Sequence, residues 1–137
     1  LGDVYKRQVL AARNVKGRLT CIGGKYADGA VTATTNSSPV VRVVADTIPP
    51  RIRPLFTEGA DLTRAPAMRF RVGDNFSDIA SCTLFIDGKW VPCDRLPMQD
   101  TLIHLFEEPP ARKSHSVRLT LTDACGNTAC WEGTIRR

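Results

Sequence analysis

Apolar and polar residues alternate with period two along much of the chain. Met68, Phe70 and Val72 alternate with Arg69 and Arg71, and Val117, Leu119 and Leu121 alternate with Arg118, Thr120 and Thr122. Trp131, Gly133 and Ile135 alternate in the same way with Glu132, Thr134 and Arg136. Successive side chains of a strand point to opposite faces, so each segment predicts a strand with one face buried. Further strand-forming runs lie at 52–56, 83–86, 89–91 and 101–106, and no segment carries the 3.6-residue stripe of an amphipathic helix. About seven short strands within about 90 residues predict an all-β fold, an immunoglobulin-like antiparallel β-sandwich over residues 51–137.

Upstream, residues 18–22, 30–34 and 40–44 predict three more short strands, with turns at Gly23-Gly24 and Asp28-Gly29. Three such strands enclose little core, so residues 9–45 read as the C-terminal fragment of a preceding β-domain. In Asp46-Thr47-Ile48-Pro49-Pro50, consecutive prolines fix φ and remove two donors. Residues 46–50 therefore predict an extended connector and a domain boundary. Residues 1–8 resemble the translated end of a sequencing adapter, a non-native scar, and receive no weight in the fold.

The Asp87-Gly88 dipeptide predicts a two-residue type I′ hairpin that pairs Phe85 with Trp90. The same register sets Cys82 opposite Cys93 at a Cα separation of about 5.5 Å, which predicts a disulfide. Cys125 and Cys130 flank the turn Gly126-Asn127. Matching the apolar faces on either side requires an odd loop, which puts these two cysteines out of phase, so a bridge there needs a distorted loop and both alternatives stay open. Cys21 has no evident partner. A four-cysteine zinc site of Cys82, Cys93, Cys125 and Cys130 fits poorly, because structural zinc ligands usually arrive as two close pairs.

The 137 residues carry a formal charge of +5. Residues 1–45 hold seven bases against Asp3 and Asp28, so the whole excess lies there and residues 46–137 are neutral. A neutral sandwich with mixed signs points away from a nucleic-acid partner. No apolar run approaches the roughly 20 residues of a membrane-spanning helix, and no signal-peptide pattern is present in these residues. His104 and His115 lie on separate predicted strands with no nucleophile elbow or phosphate loop beside them, so no catalytic residue and no cofactor are expected. Asp74, Asp78 and Asp123 follow strand ends at one pole of the sandwich, where they could bind Ca²⁺ or cap their own turns. Trp131 falls on the core face, which leaves Trp90 as the candidate for stacking on a sugar.

Asp46-Thr47-Ile48-Pro49-Pro50, Asp74-Asn75-Phe76-Ser77-Asp78-Ile79, Phe85-Ile86-Asp87-Gly88-Lys89-Trp90, His115-Ser116-Val117 and Asp123-Ala124-Cys125-Gly126-Asn127 follow one another in order. This arrangement resembles the C-terminal β-sandwich region of bacterial lysostaphin-type (LytM-like) zinc metallopeptidases. Asp78 stands where that pattern usually has glycine, and the cysteine pairs are additional to it. The resemblance implies a non-catalytic accessory sandwich attached in cis to a peptidase domain absent from these residues. It implies export to the periplasm or cell envelope, where disulfides persist, and an association with peptidoglycan. The competing expectation is a free-standing surface adhesin or interaction module.

Overall fold

The computed structural model describes residues 4–137. Among the described residues, a short 3₁₀ turn at Tyr5–Arg7 leads into fourteen strands. The first five are β1 (Gln8–Arg13), β2 (Leu19–Gly23), β3 (Lys25–Ala27), β4 (Ala30–Thr32) and β5 (Val41–Ala45). The connector follows, then β6 (Arg51–Pro54), β7 (Ala60–Asp61), β8 (Ala67–Gly73), β9 (Ile79–Ile86), β10 (Lys89–Val91) and β11 (Asp94–Leu96). The last three are β12 (Thr101–Leu105), β13 (Ser114–Asp123) and β14 (Thr128–Arg136). The protein is all-β.

Two sheets, ordered β10-β9-β13-β14-β7 and β11-β12-β8-β6, contribute to one core and form the sandwich. All seven strands expected after residue 50 are present, and β7 and β11 are short additions. The core parity is the one the alternation predicts. Met68, Phe70 and Val72 of β8 pack with Leu84, Leu102, Val117, Leu119, Leu121 and Ile135, while Arg69, Arg71 and Arg118 face solvent. Fully burying one such side chain contributes about 1.5–3 kcal/mol, so this one cluster supplies much of the driving force.

Trp131 lies against the core, edge-on to Phe56 at 5.6 Å and to Phe70 at 5.3 Å between ring centroids. Its indole folds over Gly133, its same-face neighbour on β14. An added Cβ at Gly133 would fall 2.5 Å from Trp131 Cζ2 and from Glu58 Oε2. Glycine in a strand interior costs entropy, and here that cost makes room for the indole.

The β9–β10 hairpin has the predicted register, with Trp90 opposite Phe85. Asp87 and Gly88 both have positive φ, 51° and 75°, as a type I′ turn requires. The predicted Cys82–Cys93 disulfide is absent, and all five cysteines are free thiols. The ladder stops at Val91–Leu84. Pro92 has no N–H to extend it, and the chain crosses to the other sheet, where β11 pairs with β12. The loop between Thr122 and Thr128 has the odd length that the apolar faces demanded. Cys125 is buried within it and Cys130 is exposed opposite Thr120, so these two do not bridge either.

Ahead of the connector, β2-β1-β5 form a three-stranded sheet, and β3–β4 form a separate hairpin at Asp28-Gly29. The central strand, β1, was not expected. Val9 and Ala11 are fully buried and Ala12 nearly so. The register shift between Leu10 and Ala11 interrupts the alternation that would have revealed it.

Replacing Gly133 with Ala is expected to destabilise the fold by about 1–3 kcal/mol through overpacking against Trp131, read as a lower urea midpoint with unchanged m. Thiol labelling is expected to modify Cys130 first. Burial pushes the Cys93 and Cys125 thiols up to about 12 and about 11, so both should react slowly in the native state. Peptide mapping of alkylated native protein checks both the order and the absence of bridges.

Candidate functional site: a carboxylate cluster at the junction

Three acids from distant segments meet where the front sheet joins the sandwich. Asp46 follows β5, Asp74 follows β8, and Asp123 ends β13. A carboxylate oxygen of each lies within 4.8 Å of the others. Asp46 and Asp123 are almost fully buried, 3% and 2% exposed, and Asp74 is half-buried.

Each acid is first of all a turn builder. Asp123 Oδ1 accepts the N–H groups of Cys125 at 2.9 Å and Asn127 at 2.8 Å, and its Oδ2 accepts Asn127 Nδ2 at 2.8 Å. Asp74 Oδ2 accepts the N–H groups of Phe76 at 2.9 Å and Ser77 at 2.7 Å. Asp46 Oδ1 accepts Ile48 N–H at 3.3 Å. Short carboxylates favour such local bonds, which is why Asp occupies these positions.

Asn127 extends the network across the junction. It is 2% exposed, and its Nδ2 also donates to the Asp46 carbonyl at 2.9 Å. Its Oδ1 accepts Arg7 Nη1 at 2.8 Å. Asp46 N–H donates to the Arg7 carbonyl at 2.9 Å. Arg7, in the segment given no weight from sequence, is therefore tied to the sandwich, and the connector is packed at both ends, with Asp46 and Pro50 buried.

Of the predicted acids, Asp74 and Asp123 come together and Asp78 does not. The Asp78 side chain is 72% exposed and pairs with Arg95 at 2.6 Å. Partial burial raises its pKa, but the bonds from Arg95 and from Ile79 N–H outweigh this and hold it below the usual carboxylate value. Asp46 takes its place. Cys21 and Cys125 border the cluster; burial raises both thiols and Asp46 raises them further.

The histidines are held apart. His104 is buried with Nδ1 at 2.7 Å from the Pro92 carbonyl, while His115 Nδ1 meets Asp87 Oδ2 at 2.6 Å. Trp90 is 64% exposed. Strand register aligns Trp90, Phe85, Arg118 and Glu132 in one row across four strands, on the face opposite the core. The Arg118 guanidinium lies 5.6 Å from the Phe85 ring centroid.

Sequence reasoning passed over Asp46, Asn127 and Arg7. The available signal is an acid three residues before the proline pair, at the start of the connector. Comparison with family models and with curated proteins returns no match for the chain.

Replacing Asn127 with Ala leaves the Asp46 carbonyl and part of Asp123 without donors in a buried site. We expect a loss of about 2–4 kcal/mol and faster proteolysis of the connector, measured by thermal unfolding and timed digestion.

Proposed function

We propose that the chain is a non-catalytic, wall-associating β-sandwich module of an exported, peptidoglycan-directed metallopeptidase. In this reading it positions and stabilises a peptidase domain carried in cis and works in the periplasm or cell envelope. The observation that supports it best is the row Trp90-Phe85-Arg118-Glu132 on the outer sheet face. The exposed Trp90 ring beside the half-buried Phe85 suits the apolar faces of pyranose rings, and flanking Arg and Glu suit the charged groups of stem peptides. A shallow groove beside the row is lined by Phe85, Gly88, Arg118, Glu132 and Thr134. A second reading, an adhesin or interaction module with no enzyme attached, is favoured by the hydrogen-bonded junction, which suits tandem β-modules held at a set angle.

Retention on purified sacculi separates the two. The wall reading expects binding that weakens by roughly tenfold in Trp90→Ala, on the order of one aromatic contact, with unchanged unfolding. Unchanged retention of that variant removes Trp90 from the surface, and no retention of the native chain favours the adhesin.

A further inference from the structure

We propose that Asp46, Asp74 and Asp123 form a Ca²⁺ site that locks the front sheet to the sandwich, a role separate from the wall reading. Each acid already has a local use as a turn builder. Those local uses are incomplete. Among the described residues, Asp46 Oδ2 and Asp74 Oδ1 are buried and have no hydrogen-bond partner, although the opposite oxygen of each carboxylate is pinned by backbone N–H groups. Asp46 is also 97% removed from solvent, as its 3% exposure shows. An ionised oxygen buried without a donor is costly unless a cation satisfies it.

Arg7 does not fill this need. Arg7 reaches the network through the amide oxygen of Asn127, and neither unpartnered carboxylate oxygen receives a donor. Among the described residues Asp123 Oδ2 accepts Asn127 Nδ2 alone, so it retains acceptor capacity. Three carboxylates offering oxygen donors define a hard divalent site. The turns fix each carboxylate before binding, so the donor set is uneven. Ca²⁺ tolerates irregular oxygen coordination completed by water, whereas Mg²⁺ demands near-ideal octahedral geometry.

The topology supplies the consequence. Asp46 belongs to the connector, while Asp74 and Asp123 lie at strand ends of the sandwich, 28 and 77 positions further along the chain. An ion bound to all three would cross-link the two parts at the residues that join them.

The test uses the full chain stripped with chelator, titrated with CaCl₂ in calorimetry and followed by thermal unfolding. One Ca²⁺ per chain is expected, with a Kd of roughly 0.1–1 mM, the range of extracellular modules. Millimolar Ca²⁺ should raise Tm by several degrees and slow cleavage of the connector. Asp46→Asn and Asp74→Asn keep side-chain volume and should each fold but lose the Ca²⁺ response, while Asp78→Asn should keep it. Absence of Ca²⁺ uptake by the folded native chain, or undiminished uptake by Asp46→Asn and Asp74→Asn, overturns the proposal. Wall retention enters none of these readouts, so either reading can fail without the other.

Discussion

Asp123 is a carboxylate with 2% exposure, and a buried charge must be surrounded by donors or neutralised. That requirement organises the junction end of the molecule. It draws two N–H groups of the β13–β14 loop inward and holds the Asn127 amide in place. Asn127, so fixed, has one N–H left for the Asp46 carbonyl and one oxygen left for Arg7. A single buried acid thereby sets the loop and, through one amide, the seat of the connector. Hydrogen bonds to charged groups contribute about 1.5–3 kcal/mol each, more than neutral ones.

The same economy appears in the sandwich. One strand register serves two purposes, because β9, β13 and β14 alternate their faces. Leu84, Leu119 and Trp131 align inward, while Phe85, Arg118 and Glu132 align outward one position later or earlier. The core therefore cannot slip by a residue without scrambling the outer row. Gly133 shows the inward side of the constraint, since the Trp131 indole occupies the space its side chain would take.

The cysteines show how far local geometry reaches. A hairpin extrapolated from Asp87-Gly88 places Cys82 and Cys93 opposite each other, and the register holds as far as Val91. Beyond it the competing demand of the second sheet draws Asp94–Leu96 onto β12. Pairing with β12, five to nine residues further on but in the other sheet, outweighed one more step of the hairpin ladder. That preference is a tertiary balance between two sheets, and no spacing of cysteines encodes it.

By itself, the sequence determined the all-β class, the buried faces of β8, β13 and β14, the Asp87-Gly88 turn and the odd loop before β14. These are local consequences of a two-residue period and of backbones that need positive φ, so they can be read within a few residues. Only the tertiary structure decided that β1 is the centre of a sheet, that the cysteines are free thiols, and that Asp46 replaces Asp78 beside Asp74 and Asp123. Asp46 and Asn127 are 81 positions apart, and Arg7 and Asn127 are 120 apart. Contacts across such distances depend on how whole sheets dock, and hydrophobic alternation, the same at every register of docking, carries no information about it.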